Sequence, residues 1–268
     1  MVTSERATEH PLADPLLSVE REARIVSFLQ DHGKGSVAEL SRALGVSDAT
    51  VRRDLRRLTL RQRVQRVHGG AVLADAVGLE PPVLQRRGLL AEEKERIGRA
   101  AAALIKDGET VVITGGSTTL EVIPHLAGRK GLTIITDSLL IAEKAARLPD
   151  VTFITLGGTV RPSELSMEGY LSELCLRELH ANRAIIGARA VSLTQGLMLD
   201  RVSEATRFRA CIKIADEVIL VADHTKFGQV ATAVLGPLTM VQRLVTDRGI
   251  SEETRAALRA LTIEVIEA

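Results

Sequence analysis

Between Ser47 and Leu58 the chain sets Arg52, Arg53, Arg56 and Arg57 among Val51, Leu55 and Leu58. The three apolar residues recur at i, i+4 and i+7, the spacing of one face of a helix. At about 100° per residue, Arg53 and Arg56 project from the opposite face together with Ala49, while Thr50, Arg52 and Arg57 flank it. Guanidinium groups so placed can pair with phosphates or grip a guanine edge with two hydrogen bonds, which suits a helix entering the major groove of DNA. A charge run on a helix is ordinarily a solvated face, so the neighbouring elements decide between the two readings. Asp54 lies nearer the apolar stripe than the arginine face. A carboxylate there is expected to pair with an arginine of its own domain.

Those neighbours favour DNA. Ser47 is placed to cap the basic helix. Upstream, Arg24 to Leu29 has helical apolar spacing closed by His32-Gly33, and a short helix from Ser36 through Leu44 ends at Gly45, which supplies a left-handed turn. Helix, short helix, glycine turn and basic helix make a helix-turn-helix. Downstream, Arg63 to Gly70 alternates polar and apolar residues before Gly69-Gly70, the pattern of a small wing.

A second candidate site lies in Val111-Val112-Ile113-Thr114-Gly115-Gly116-Ser117-Thr118-Thr119-Leu120. A strand runs into two glycines and then three hydroxyl residues opening a helix, so backbone N–H groups, hydroxyls and the helix terminus can all face an anion. The same residues would also serve as a tight turn with its cap. The spacing is neither a Walker motif nor a dinucleotide fingerprint. Other polar turns fall at strand ends: Thr136-Asp137-Ser138, Gly157-Gly158-Thr159 and Asp223-His224-Thr225-Lys226, with Asp200 and Glu204 opening a later helix. Together they suit a polyol phosphate; singly, each reads as a cap or a solvated charge.

The elements that must carry these groups follow from alternation. From Thr110 onward, short apolar runs (110–113, 132–136, 151–156, 184–187, 218–222, 244–246 and 262–266) alternate with helical patterns (92–105, 118–126, 139–147, 171–179, 204–215 and 252–261). That predicts an α/β domain with a mostly parallel sheet covered on both faces, its ligands beyond the strands' carboxyl ends. The expected organisation is a disordered tail over 1–18, an α+β winged helix-turn-helix over 19–73, a linker over 74–91, and an effector-binding and oligomerisation domain over 92–268. The 268 residues carry a net charge of only +1, yet 19–72 hold ten Arg and one Lys against six acids, or +5, leaving −4 for the rest. A basic head on a mildly acidic body fits DNA binding joined to a small-molecule domain.

Cys175 and Cys211 are the two cysteines, too few for a disulfide scaffold, and read as small buried residues. Neither a signal-like apolar run nor a membrane span is legible, so a cytoplasmic protein without membrane contact is expected, with no metal or cofactor.

The core S-x-x-T-V-R-R-D-L, at Ser47 to Leu55, followed by R-V-H-G-G-A at Arg66 to Ala71, resembles the DNA-binding half of the DeoR family of bacterial sugar-metabolism regulators. The turn Leu60-Arg61-Gln62-Arg63 departs from it, since members usually carry a glycine there. Residues from Glu93-Lys94 through G-G-S-T-T, L-T-I-I-T-D-S, L-G-G-T, G-L-x-x-D and A-D-x-x-K-F-G to Val245-Thr246-Asp247 resemble the family's effector domain, similar in fold to ribose-5-phosphate isomerase. The resemblance implies a regulator, most simply a repressor of a carbohydrate operon, whose partners are a double-stranded DNA operator, a phosphorylated sugar and further copies of itself. The helical projection gives Arg53 and Arg56 most of the DNA contact, with Arg52 and Arg57 supporting through phosphate, and Ser47, Thr50, Arg66 and His68 of the matched motifs join them as expected DNA contacts. The resemblance implies that the sugar phosphate or a related metabolite binds at Gly116, Ser117, Thr118 and Thr119 and places Asp200, Glu204 and Lys226 near the sugar; Gly115, Asp137 and Gly158, from the strand-end turns, complete the expected effector site. Thr114, Arg189 and Phe208 depart from the family's frequent residues at positions that could line the pocket.

Two other functions use the same features. A sugar-phosphate isomerase would take Glu204 as base and Lys226 as electrophile, although Arg189 stands where such isomerases carry an acid. A constitutive DNA-binder would use the second domain for oligomerisation alone, which leaves the polar strand-end turns without a purpose.

Overall fold

The computed structural model describes residues 18–32, 34–61, 63–67, 69–73 and 80–268. They divide into two compact units, the second running from Glu80 to Ala268. The tail expected before residue 18, His68, Gly33 and the turn residue Gln62 lie outside the described residues, and Ser18, counted with that tail, opens the first helix.

In the first unit α1 (Ser18–His32), α2 (Val37–Leu44) and α3 (Asp48–Leu60) pack Ile25, Leu29, Leu40, Val51 and Leu55 into one core. Ser36 caps α2 reciprocally: its hydroxyl accepts the Glu39 N–H at 3.2 Å, and the Glu39 carboxylate accepts the Ser36 N–H at 2.8 Å. Gly45 ends α2 at φ 64°, a left-handed turn that a side chain would strain. The Ser47 hydroxyl then accepts the Thr50 N–H to start α3. At the other end of α3, Arg61 stands at φ −86° with its N–H on the Arg57 carbonyl, so this turn closes without the family's glycine.

The wing has three strands, one of them from upstream of the stretch that read as a wing. β2 (Val64–Val67) and β3 (Gly70–Leu73) pair antiparallel, and β1 (Lys34–Ser36) adds to the other side of β3. A Cβ on Gly70 would fall 2.2 Å from the Gly35 carbonyl oxygen, so this glycine is what lets β1 approach.

The second unit is built on seven parallel strands: β4 (Thr110–Ile113), β5 (Leu132–Thr136), β6 (Val151–Thr155), β9 (Ala181–Ile186), β12 (Ala215–Val221), β14 (Arg243–Thr246) and β15 (Glu264–Glu267). Both faces are covered, as the strands' unbroken apolar character requires. Val111 and Ile113 meet Ile97 of α5 (Ala91–Ala103) on one face, while Val112 shares the other face's core with Phe208 of α8 (Val202–Lys213). Helices α6 (Leu139–Ala145), α7 (Tyr170–Arg177) and α9 (Glu252–Ala260) complete the layers. The sheet order is β15-β14-β12-β9-β4-β5-β6. The chain therefore leaves β4 toward β6, returns to β9, and proceeds toward β15. Its direction reverses between β4 and β9, and a crevice opens at the carboxyl ends of such a pair.

Four features depart from the sequence reading. The linker assigned to 74–91 is, from Glu80 on, part of the second unit, because Glu80 and Arg86 are held in buried ion pairs there and α4 (Val83–Arg86) begins at Pro82. The helix expected at 118–126 is a 3-10 helix, Thr119–Leu126, with Pro124 inside it supplying no N–H. A hairpin of β7 (Thr159–Arg161) and β8 (Ser166–Glu168) was not foreseen. Nor was a small antiparallel sheet of β10 (Ala190–Ser192), β11 (Gly196–Leu199) and β13 (Ala233–Gly236). Among the described residues no helix is long and apolar enough to cross a membrane.

Candidate functional site

In α3, Val51, Asp54, Leu55 and Leu58 are buried while Arg52, Arg53 and Arg56 are exposed and carry no ion-pair partner among the described residues. Arg57 differs from them. Its Nη1 donates to the Ser18 hydroxyl at 2.7 Å and lies within 4 Å of Glu22 and Asp54, so it is committed to the domain's own packing. Asp54, 1% exposed, accepts from Arg21 Nε at 2.8 Å, and this hydrogen bond holds the Arg21 pKa above its usual value. Arg61 Nη1 reaches Glu22 at 2.6 Å. The carboxylates of this unit's ion cluster thus face α1 and anchor α3, leaving a face of unpaired cations. Ser47 and Thr50 stand at its N-terminal end, their hydroxyls 3.0 Å apart, and Arg66 is exposed on β2.

In the second unit one pocket opens at the sheet's reversal point. The turn Gly115–Thr119 after β4 and Gly187-Ala188-Arg189 after β9 form two of its walls; Val221-Ala222 at the end of β12 and Lys226 beyond it form a third. Leu199 and Phe208 supply its apolar side, and Glu80, Arg86, Glu164 and Glu204 its remaining charges. The backbone N–H groups of Gly116, Ser117 and Thr118 and the hydroxyls of Ser117 and Thr118 meet no acceptor among the described residues. The Thr119 hydroxyl donates back to the Gly116 carbonyl at 3.1 Å and closes the turn. Convergent, unused donors on a turn that opens a helix are the requirements of an oxyanion site.

Of the ten residues expected at the effector, Gly115–Thr119, Glu204 and Lys226 line this pocket and three do not. Asp137 is buried beneath the turn, where it accepts the Gly115 N–H at 2.7 Å and faces Arg207 Nε at 2.6 Å, in ion contact though out of hydrogen-bond alignment. That bond also removes the Gly115 N–H from the donors available to a ligand. Asp200 accepts the Glu80 N–H at 3.0 Å and lies 3.5 Å from Arg189 Nε. Gly158 stands at φ 132° where a Cβ would fall 2.4 Å from the Glu168 carbonyl oxygen, so it serves the close approach of β7 to β8. Of the three departures from the family, Arg189 and Phe208 line the pocket, and buried Thr114 does not.

The charges are paired, and the reading from sequence missed most of them. The Glu80 carboxylate sits between Arg86 Nη1, at 2.9 Å, and Lys226 Nζ, in closer contact. Arg86 also binds Glu164, and Arg161 bridges Glu164 at 3.7 Å and Glu204 at 3.3 Å. Lys94 Nζ donates to the Arg86 carbonyl at 2.6 Å. Burial pushes the Glu204 carboxyl up to about 7, only partly offset by Arg161 and Arg207. Burial likewise raises Asp200 and Glu164, and lowers the Lys94 ammonium. Burial acts to raise Glu80 too, but Arg86 and Lys226 outweigh it and hold that carboxyl below its usual value. A signal for Glu80 and Arg86 was present: an acid, two prolines and a basic pair in what read as a linker.

Residues 21–77 match the DeoR-like helix-turn-helix domain, and residues 90–248 match the DeoR C terminal sensor domain. The HTH-type transcriptional regulator GolR of Listeria innocua is 32% identical across 87% of this chain and 92% of its own length. The transcriptional repressor AccR of Agrobacterium fabrum is 33% identical across 86% of this chain and 90% of its own. Among solved structures, ribose 5-phosphate isomerase A from Methanocaldococcus jannaschii aligns at a TM-score of 0.38 and 21% identity, over 51% of this chain and 54% of that one.

Proposed function

The chain belongs to the DeoR family of DNA-binding transcriptional regulators, and from that premise we propose that it represses a carbohydrate-metabolism operon under the control of a phosphorylated sugar or related metabolite. The observation that carries the effector half is the turn Gly116–Thr118, whose unused backbone and hydroxyl donors converge on a pocket at the sheet's reversal point. The DNA half rests on Arg52, Arg53 and Arg56, exposed and unpaired on the solvent face of α3. Ser47, Thr50 and Arg66 take supporting contacts. Arg57 supports through the ion cluster that orients α3. The protein acts in the cytoplasm as a homo-oligomer assembled through the second unit. For the effector to regulate, it must favour one arrangement of the heads over another, since equal affinity for both shifts nothing.

An isomerase reading keeps one point in its favour, since a carboxyl at about 7 is poised to carry a proton near neutrality. Against it, Lys226, its electrophile, is already neutralised by Glu80, and the Glu204 carboxyl is occupied by Arg161 at 3.3 Å. We hold that the protein is not an enzyme; conversion of ribose 5-phosphate to ribulose 5-phosphate by the purified protein would reverse that. The test of the regulator is Gly116→Val, assayed by operator binding with and without a panel of sugar phosphates. A Cβ at Gly116 already falls 3.0 Å from the Thr119 hydroxyl, so valine crowds the turn and blocks the anion. The expected result is unaltered operator binding that no longer answers to any sugar phosphate, and a full response would move the effector site elsewhere.

A further inference from the structure

Glu80 is an unusual wall for an anion site. Its carboxylate lies in the pocket that the Gly116–Thr118 turn faces, held by Arg86 and Lys226. Lys226 has Glu80 as its one partner among the described residues, whereas Arg86 has Glu164 as well. A carboxylate clasped by a guanidinium and an ammonium is what a bound oxyanion looks like, and here it is supplied by the chain. Removing it would leave Lys226 with no counter-charge and Arg86 with half of one, a costly state for buried cations unless another anion arrives.

The backbone after Glu80 is anchored through carbonyls: that of Pro81 accepts from Arg86 Nε at 2.7 Å, and that of Pro82 from the N–H groups of Gln85 and Arg86. The Glu80 N–H rests on the Asp200 carboxylate at 3.0 Å, and Pro81 and Pro82 offer no N–H. The Val83 N–H adds a bond to the Ser163 carbonyl at 2.8 Å, and α4 follows. Glu80 itself, whose backbone is held among the described residues by the one bond to Asp200, is therefore the residue free to move with its side chain, and it stands where the second unit begins and the covalent path from the DNA-binding unit enters it.

We infer that Arg86 and Lys226 form an oxyanion subsite which Glu80 occupies as a tethered competitor, and that the effector binds by exchanging its own phosphoryl or carboxylate group for Glu80. The inference rests on the effector reading of this pocket and adds to it which cations receive the ligand and what must leave. The exchange releases Glu80 from Asp200, so occupancy of the pocket is reported at the residue where the chain arrives from the DNA-binding unit. It also explains why Asp200, expected at the effector, binds backbone instead: it latches the competitor in place.

The test compares full-length wild type with Glu80→Gln by calorimetric titration with inorganic phosphate, glucose 6-phosphate and gluconate. A tethered competitor lowers apparent affinity by the fraction of time the subsite is free, so weakening it should tighten binding of a competing oxyanion at least fivefold. A gain with the two phosphates assigns the subsite to a phosphoryl group, and a gain with gluconate extends it to carboxylates. Unchanged or weaker binding by Glu80→Gln, while wild type still binds phosphates, overturns the exchange and leaves the phosphate turn standing. Binding by neither protein to any probe overturns both. Wild type alone supplies a second readout that does not depend on the variant folding. On adding glucose 6-phosphate, residue-resolved amide exchange should show the Glu80 N–H losing protection while Gly116, Ser117 and Thr118 gain it. Gain at Glu80 would show the effector closing on this carboxylate and would sink the proposal.

Discussion

The molecule uses arginine in two opposite ways. On α3, Arg52, Arg53 and Arg56 stand exposed with no ion-pair partner among the described residues, while two acids of that unit, Asp54 and Glu22, are turned inward onto Arg21, Arg57 and Arg61. In the pocket, Arg86 is buried, Arg161 and Lys226 are half-buried, and each is matched to a glutamate. Exposed cations in water cost little to keep unpaired and attract any polyanion over about a Debye length, with strong dependence on salt. Buried cations must be paired in the empty state, so a ligand has to outcompete the resident carboxylate with correct geometry as well as charge. The first arrangement suits a long, regular polyanion; the second suits one small anion chosen from many.

The largest break in that contrast comes from removing the exposed face. Arg53→Ala/Arg56→Ala should weaken operator binding by about 2–6 kcal/mol, since each base-reading arginine is worth about 1–3 kcal/mol. The slope of affinity against salt should fall if either contacts phosphate. Both units should melt as in wild type, because neither side chain has a partner to lose. Undiminished operator binding by the folded double variant would remove this face from the DNA interface.

Asp54 tests the inward half of the same cluster. Asp54→Ala removes the carboxylate that Arg21 donates to and should destabilise the DNA-binding unit by about 1.5–3 kcal/mol, the range for a hydrogen bond to a charged group. Operator affinity would then fall in step with the folded fraction. Wild-type melting with changed base preference would show that Asp54 reads DNA.

The paired cations make a pH prediction. Glu204 has a folded pKa of about 7 against an ordinary 4.5, so between those values the folded state holds a proton that the unfolded state has lost. Stability from this carboxyl is complete below pH 4.5 and declines as pH rises toward 7. The loss is on the order of 2–3 kcal/mol. Glu204→Gln cannot ionise and should flatten the decline, so the difference between the two proteins' pH–stability curves isolates the effect. Parallel curves would mean that Arg161 keeps Glu204 charged throughout.

What could be read from the sequence was what is local and periodic. The Val51–Leu55–Leu58 stripe, the caps at Ser36 and Ser47, and the strand–turn–hydroxyl pattern at Val111 to Thr119 depend on near neighbours, and all appear in the fold. What escaped depends on partners far along the chain. β1 joins β3 across more than thirty residues through the contact of Gly35 with Gly70. Glu80 meets Lys226 at a separation of 146 residues, and Arg86 meets Glu164 at 78. A charge beside prolines looks like a linker until its distant counter-ion is known, which is why the linker was drawn too long. Asp137, Asp200 and Gly158 do not line the pocket; they contact the Gly115 N–H, the Glu80 N–H and the β7–β8 hairpin, partners that the sequence pattern does not show.

The smallest effect separates the turn from the charges around it. Ser117 is 5% exposed, lines the pocket, and its hydroxyl meets no acceptor among the described residues. Ser117→Ala therefore removes a donor without breaking any bond in the empty state, and stability should be unchanged within about 0.5 kcal/mol. With a phosphorylated sugar bound, the lost hydrogen bond should cost about 1–2 kcal/mol, between the values for neutral and charged partners, because the N–H groups of Gly116 and Thr118 remain. Effector titration of the operator complex would then need a sugar-phosphate concentration roughly five- to thirtyfold higher, with the same final release. An unaltered titration would mean that the anion leans on Arg86 and Lys226 rather than on the turn, and would shift the weight of recognition from unused donors to exchanged charges.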